Sequence, residues 1–152
     1  MPGPRFSTRG EYGLRALVDF ALHPDESPIR VTDLAARQDI PPHYLEQLLS
    51  LLRKAGLVRS ARGPRGGFEL ARPASEISLL EALTALEGDL ILADCLESSA
   101  NRDCPYASAC ALRQVWQELS EALKGKLRAV SIAELGQEQS RLQSQAAPTY
   151  QI

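Results

Sequence analysis

Two adjacent prolines, Pro41 and Pro42, separate two segments that both carry helical hydrophobic periodicity. Proline inside a helix removes a hydrogen bond and clashes with the preceding turn, but proline at the first helical position is favourable. The pattern therefore predicts one helix with Thr32 as N-cap that ends near Gln38, and another that runs from Pro42 to Ala55. Two short helices joined by a tight turn, the second polar at its start, are typical of a helix-turn-helix.

The segment that follows, LVRSARGPRGGFELAR, predicts a β-hairpin. Two short strands, 57–61 and 68–71, flank a tip of glycine, proline and arginine. Glycine and proline alone could merely close a turn, but a basic hairpin directly after a helix-turn-helix is the arrangement of a wing. Arginine on such a tip can grip phosphates or enter a minor groove, and glycine lets a backbone come close to DNA.

The charge of the chain is divided unevenly between its two halves. Residues 1–72 contain 11 Lys/Arg against 8 Asp/Glu, whereas residues 73–152 contain 6 against 11, so the net charge of -2 combines +3 and -5. A solvated charged face is one interpretation of the basic residues concentrated in 53–72. Their position in a helix-turn-helix and wing favours another, which is binding to a double-stranded DNA operator.

The candidate DNA contacts lie at the start of the second helix of the motif and in the wing. The N-terminal part of such a recognition helix reaches base edges, where glutamine can pair with adenine and glutamate can accept from cytosine. His43 has the alternatives of a phosphate contact or a helix cap. The predicted contacts are Pro42, His43, Tyr44, Glu46, Gln47, Arg59, Arg62, Arg65 and Gly66.

Apolar periodicity predicts further helices on both sides of this motif. Thr8 and Glu11 have capping-box spacing at the start of a first helix over residues 8–22. Another capping box, at Ser78, opens a helix that ends at Gly88. A long amphipathic helix over residues 112–127 has little of its own chain to pack on, so a second subunit is expected to cover it, which predicts a two-fold dimer.

The predicted fold is mainly α with a small β-hairpin wing, a winged helix-turn-helix plus a long dimerisation helix. The DNA-binding domain is expected in residues 1–75, and the cysteine loop with the dimerisation helices in residues 76–136. Residues 131–134 are expected to cap a last short helix, and residues 137–152 to form a flexible polar tail.

All three cysteines lie in one polar loop, CLESSANRDCPYASAC, residues 95–110. An odd number of cysteines cannot pair completely within one chain, and a reducing compartment disfavours a disulfide framework. Incidental cysteines are usually buried like small hydrophobes, which this loop does not offer, and its acidic residues disfavour bare reactive thiolates. Clustered soft thiolates suit an iron-sulphur cluster or zinc, and spacing alone does not choose between them.

A resemblance to the family of winged-helix regulators that includes IscR, NsrR and CymR is carried by four parts of the sequence. They are FSTRGEYGLRALVDFAL, HYLEQLLSLLRKAGLVRSARGPRGGFELAR, the cysteine loop and RQVWQELSEALKGKL, within residues 5–136. The cysteine loop is similar to that of the cluster-binding branch of the family. The resemblance implies a homodimeric transcription regulator that senses cluster supply, oxidants or nitric oxide, with Glu46, Gln47, Arg62 and Arg65 at the DNA.

The resemblance also implies that Cys95, Cys104 and Cys110 bind an iron-sulphur cluster, with two or four irons left undecided. The eight residues between the first two cysteines exceed the five typical of those relatives, and Arg113 stands where the IscR branch supplies a histidine. In the NsrR branch an acidic residue of the partner's first helix completes the cluster, and Glu11 aligns with it. The capping box at Thr8 is the competing explanation of Glu11. Asp94, Glu97, Asp103, water or a small thiol are the other candidate ligands.

Composition and motifs argue against other classes of protein. The sequence has no phosphate-binding glycine loop and too few histidines for a catalytic centre, so an enzyme is not expected. It has no apolar run long enough to cross a bilayer and no signal-peptide order at its start, which predicts a soluble, cytoplasmic protein without a membrane partner. A zinc-binding or thiol-redox winged-helix regulator without an iron-sulphur cluster is the alternative function.

Overall fold

The computed structural model describes residues 6–97 and 104–146, which form a mainly helical chain with one β-hairpin. The elements in chain order are α1 (Thr8–Leu22), α2 (Val31–Gln38), α3 (Pro42–Lys54), β1 (Val58–Ala61), β2 (Gly67–Leu70), α4 (Leu79–Glu87), α5 (Ala111–Ala129) and α6 (Ile132–Ala146). The predicted winged helix-turn-helix with a long additional helix is confirmed. Over these two ranges, no helix combines the length and apolar character needed to span a bilayer.

Helix α2 begins before the position predicted from its sequence. Thr32 lies inside the helix, and Arg30 occupies the N-cap position without a side-chain cap bond, so the prediction of Thr32 as N-cap is wrong. The cause is the preceding residue, because Ile29 and Phe68 exchange two backbone hydrogen bonds of 2.8 Å. This pairing holds Ile29 extended, so the helical turn starts immediately after it. The predicted end at Gln38 is confirmed.

The wing is fixed to the chain that leads into α2. Strands β1 and β2 pair antiparallel, with Val58 opposite Leu70, which confirms the predicted hairpin to within one residue at the strand ends. The bridge between Ile29 and Phe68 adds a third extended segment beside β2. A Cβ atom at Gly67 would collide with the carbonyl of Ile29, so the close approach requires glycine.

One hydrophobic core joins the helix-turn-helix to α1, α4 and α6. Leu17, Leu34 and Leu49, from the first three helices, are fully buried in a cluster that also contains Leu86 of α4 and Ile132 of α6. Burial of side chains of this size stabilises a fold by about 1.5–3 kcal/mol each. The core therefore crosses the boundary expected between residues 75 and 76.

Two of the predicted N-terminal caps form as expected. The Ser78 hydroxyl accepts from the Glu81 amide at 3.1 Å, while the Glu81 carboxylate accepts from the Ser78 amide at 3.0 Å. The hydrogen bond from the Ser78 amide lowers the pKa of Glu81 below its ordinary value. Ser131 and Glu134 make the same reciprocal pair at the start of α6, with donor-acceptor distances of 2.7 and 3.2 Å.

The last helix is longer than the sequence predicts. Helix α6 continues to Ala146, so the expected tail is wrong for residues 137–146, and residues 147–152 lie outside the described part. Residues 137–146 contain neither glycine nor proline, and polar composition alone does not end a helix. Arg141 also donates to Glu138 at 2.8 Å, one turn away, which supports the exposed part of the helix.

Candidate nucleic-acid interface and thiol loop

The N-terminal part of α3 presents an exposed polar surface. The His43 side chain is 86% exposed, and its Nδ1 atom lies 4.0 Å from the Glu46 carboxylate. The Gln47 amide nitrogen lies 3.3 Å from the other ring nitrogen of His43. Pro42 opens the helix and is exposed as well. These residues therefore offer donors and acceptors on one surface, as the readout of base edges requires.

Tyr44 differs from its predicted neighbours because it is half-buried. Its ring packs edge-on against Tyr12 of α1, with 6.1 Å between the ring centroids and 72° between the planes. Arg15 lies over the Tyr12 ring, 5.5 Å from its centroid. Tyr44 thus belongs in part to the contact between α1 and α3, and its role at DNA stays a prediction.

Two of the predicted wing arginines, Arg62 and Arg65, are exposed at the tip. Within the described ranges neither forms an ion pair. Arg30 donates to the carbonyl of Pro64 at 2.7 Å and so ties the tip to the start of α2. A Cβ atom at Gly66 would lie 2.6 Å from the Ala61 carbonyl oxygen, so glycine here serves the tight tip itself.

Arg59, the third of the predicted wing arginines, is already paired. It lies directly opposite Glu69 in the hairpin, and its Nε donates to the Glu69 carboxylate at 2.6 Å. The hydroxyl of Ser27 also donates to Glu69, at 3.3 Å. The positive charge of Arg59 is therefore partly neutralised before any DNA arrives, unlike the charges at the tip.

A buried carboxylate that sequence reasoning missed fixes α2 against α1. Asp19 is only 2% exposed, and it accepts from Arg37 and from Gln38, each at 2.6 Å. His23 lies 3.2 Å from the same carboxylate. Arg37 also donates to Glu26, and this hydrogen bond lowers the pKa of Glu26 below its ordinary value. An aspartate inside the apolar run VDFAL is the pattern that could have revealed it, because a buried charge requires partners.

The three cysteines lie in the segment between α4 and α5, called here the thiol loop (residues 88–110). Cys95 lies in a short 3₁₀ turn, Asp94–Leu96. Cys104 opens a turn closed by a hydrogen bond from the Ala107 amide at 3.1 Å. Cys110 is the N-cap of α5. All three thiols are half-buried and free.

The structure does not gather these thiols into a ligand set. Over residues 6–97 and 104–146, no three Cys, His, Asp or Glu side chains converge closely enough to hold a metal ion. Asp103, one of the candidate ligands, lies outside the described residues. The chemistry of the donors still fits a soft metal centre, since free thiols on one loop are the ligands that iron-sulphur clusters and zinc take.

Arg113 supports the thiol loop from within α5. Its guanidinium donates to the Ala107 carbonyl at 3.3 Å. Ala107 precedes Cys110 in the last turn of the thiol loop. The position where related regulators are expected to place a histidine ligand therefore holds a residue that bonds to the loop backbone.

The start of α1 is capped by a residue from α4, not by the predicted capping box. One carboxylate oxygen of Glu87 accepts from the Ser7 amide at 2.8 Å, the Ser7 hydroxyl at 2.7 Å and the Gly10 amide at 3.0 Å. The box predicted at Thr8 and Glu11 is therefore wrong, and Ser7 occupies the N-cap position. Glu11 is exposed, and its carboxylate makes no hydrogen bond or ion pair among the described residues.

Helix α5 carries an apolar stripe that faces away from the core. Its members are exposed by between 37% and 64% and recur at helical spacing. They are Leu112, Val115, Trp116 and Leu119. An apolar surface of this kind marks an interaction site more often than a free face.

Comparison with known proteins places the chain among transcriptional regulators. The family described as "Rrf2: Iron-dependent Transcriptional regulator" matches residues 6–138. The HTH-type transcriptional regulator IscR of Serratia proteamaculans is 39% identical over 131 residues, which cover 86% of this chain and 78% of that protein.

Solved structures of similar proteins agree with this placement. The structure of IscR from T. potens superposes with a TM-score of 0.73 at 32% identity, over 97% of this chain and 96% of that one. CymR, described as the global cysteine regulator of B. subtilis, has a TM-score of 0.73 at 32% identity, over 89% of this chain and 98% of its own.

Proposed function

This chain belongs to the Rrf2 family and is a helix-turn-helix transcription regulator, not an enzyme; from that premise we propose that it is a homodimer that senses iron-sulphur cluster status, redox state or nitric oxide. Cys95, Cys104 and Cys110 would hold the cluster. A bound iron-sulphur cluster supplies reversible electron transfer and reactivity towards oxidants.

The observation that carries this proposal is the state of the three thiols. Each is free and half-buried, and all lie in the one loop that separates the DNA-binding helices from α5. Half-buried thiols outside the core contribute little to packing, so a ligand role explains their presence better than a structural one. The description of the matching family as iron-dependent supports iron over zinc.

Glu11 is the proposed fourth ligand, contributed by the partner subunit. The competing explanation was a helix cap, and Glu87 takes that role. An exposed carboxylate with no described partner on α1 is free to bind a metal centre. Asp94 and Glu97, which are exposed next to Cys95, are the rival ligands within the described chain.

The proposed DNA contacts comprise the exposed start of α3 and the wing. Glu46 and Gln47 would meet base edges, whereas the arginines of the wing would meet phosphates or the minor groove. The full set is Pro42, His43, Tyr44, Glu46, Gln47, Arg59, Arg62, Arg65 and Gly66.

Regulation would follow from ligands that span two subunits. If the thiol loop of one subunit and Glu11 of the other bind one centre, ligation favours one arrangement of the two DNA-binding heads. Loss of ligation releases that preference and changes operator affinity by the same coupling free energy. Equal operator affinity of iron-loaded and iron-free protein at matched salt would contradict this mechanism.

The first experiment is to purify the protein without oxygen and to measure iron, acid-labile sulphide and visible absorption per chain. Matched iron and sulphide are expected, and their amount per chain distinguishes clusters of two and four irons. Glu11→Ala is expected to lower iron retention more than Asp94→Ala or Glu97→Ala does. A colourless protein after reconstitution would reject the cluster and leave zinc binding or thiol redox chemistry.

Dimerisation is expected to depend on the apolar stripe of α5. Leu119→Glu places a charge in the proposed interface, where it loses apolar burial and suffers desolvation. The dimer dissociation constant should rise at least about tenfold, as measured by sedimentation equilibrium. Gln117→Glu, an exposed position of α5 outside the stripe, is the matched control. Equal dissociation constants for the two variants would place the dimer interface elsewhere.

A further inference from the structure

We propose that Glu87 is a positioning residue that couples the thiol loop to the recognition helix through α1. Its role in regulation rests on the proposed function, whereas its mechanical link to α3 does not. Three contacts of α1 support the proposal. The Glu87 carboxylate accepts hydrogen bonds from its first turn, α4 packs closely on one of its faces, and α3 contacts it elsewhere.

The first feature is the position of Glu87 in the chain. It is the last residue of α4, so the thiol loop begins at the next residue, Gly88. Its side chain is only 14% exposed, and one oxygen accepts three hydrogen bonds from Ser7 and Gly10. The first amides of a helix have no partner within the helix, and a carboxylate also meets the positive end of the dipole. The first turn of α1 is therefore held by the residue adjoining the thiol loop.

The second feature is the close approach of α4 to α1. A Cβ atom at Gly10 would collide with the Glu87 carboxylate, and one at Gly13 would collide with the Leu86 side chain. Both glycines lie on one face of α1, three residues apart. The Leu86 and Glu87 side chains at the end of α4 thus pack directly on the backbone of α1, where the two glycines have no side chains of their own.

The third feature is the contact of α1 with the recognition helix. The Tyr12 ring packs edge-on against Tyr44 at 6.1 Å. Beside it, the N-cap Ser7, the first two residues of α1 and the α3 residues Tyr44 and Gln47 line one groove. A displacement of the first turn of α1 would therefore change the surroundings of Tyr44 and Gln47, two of the proposed DNA contacts.

These contacts form a continuous path from loop to recognition helix. Metal ligation by Cys95, Cys104 and Cys110 would constrain the thiol loop, including its first residues after Glu87. The carboxylate transmits that constraint to α1, and the tyrosine pair transmits it to α3. A bond that serves only as a helix cap would instead stabilise the fold equally in the iron-loaded and iron-free states.

The test compares the ratio of operator dissociation constants, iron-free against iron-loaded, at matched salt. For the unaltered protein this ratio should depart from one by about 5–150-fold, the usual range of coupling between sites. Glu87→Ala is expected to bring it to within about twofold of one, although iron content is retained. A ratio in Glu87→Ala equal to that of the unaltered protein overturns the proposal and leaves Glu87 as a cap.

Glu81→Ala is the matched control for stability. Glu81 lies on the same helix and accepts hydrogen bonds from Ser78 at the other end of α4. Both variants lose stability, but only Glu87→Ala should change the ratio. Glu87→Gln keeps an oxygen acceptor. Its ratio of dissociation constants is therefore expected to depart from one by more than that of Glu87→Ala, but by less than that of the unaltered protein.

Gly10→Ala gives a second, independent variant. The added methyl group displaces the Glu87 carboxylate, while alanine is a better helix former than glycine. The ratio of dissociation constants should therefore move towards one, without a loss of stability from helix propensity. An unchanged ratio in this variant would also overturn the proposal.

Hydrogen exchange in iron-free protein separates this proposal from the proposed function. If the unaltered protein binds no iron, cluster sensing fails, but the mechanical link is still tested. Glu87→Ala should accelerate exchange at residues 10–13 of α1 and also at residues 46–49 of α3, whereas Glu81→Ala should change neither. Acceleration confined to α1 would contradict the coupling.

Discussion

Replacing Cys104 with serine is expected to abolish iron retention while the protein stays folded. A hydroxyl is a hard, protonated donor that replaces a soft thiolate, so one of three protein ligands from the thiol loop is lost. Even residues that only support metal ligands cost about 10–100-fold in affinity when removed, so loss of a ligand should cost at least about 100-fold. Iron per chain after anaerobic desalting measures the effect.

The fold of this variant should be preserved because Cys104 lies in a turn outside the core. Its melting temperature without iron should therefore match that of the unaltered iron-free protein. Ser108→Ala, an exposed change in the same turn region, is the control and should retain iron. Full iron content in serine variants of Cys95, Cys104 and Cys110 would show that these thiols are not the iron ligands.

Removal of both tip arginines is expected to weaken operator binding about 30-fold at moderate salt, since hydrogen bonds to charged groups contribute about 1 kcal/mol or more each. Arg62 and Arg65 are exposed and form no ion pair in the described chain, so their charges are available to phosphates. Each lost phosphate contact also lowers the slope of log affinity against log salt by about 1. The double variant Arg62→Ala/Arg65→Ala should thus lower the slope by about 2.

The double variant Lys126→Ala/Arg128→Ala is the matched control for net charge. It removes the same two charges from the end of α5, away from the helix-turn-helix. Titration of operator DNA at several salt concentrations should give a slope near that of the unaltered protein. Equal slopes for wing and control variants would mean that the tip does not contact phosphates.

The elements of the fold were predictable because their determinants are local. Leucine spacing, the break at Pro41 and the capping pair at Ser78 identified helices whose ends differ from the structure by one or two residues, whereas the end of α6 was missed. The cap at Thr8 failed because Ser7 is the N-cap instead, and a distant carboxylate, that of Glu87, accepts from the Ser7 and Gly10 amides. A short sequence window contains no information about such a partner.

The residues of the candidate site also separate into those that local sequence predicts and those that depend on distant contacts. Exposed polar residues at the start of α3 and at the wing tip follow from helical phase and turn chemistry. The ion pair between Arg59 and Glu69 follows only from strand register, and the partners of Asp19 follow only from how α2 packs on α1. Convergence of the three thiols depends on the path of residues 95–110, which neither periodicity nor composition specifies.

The bridge between Ile29 and Phe68 makes the wing a poor unit for exchange between proteins. Its third extended segment lies before α2, so a transplanted hairpin would leave that segment behind and expose unpaired backbone groups at β2. The hairpin and helix-turn-helix should unfold together, with the Phe68 amide as slow to exchange as the core. A chimaera that alters DNA preference would need to carry residues 27–72 as one cassette.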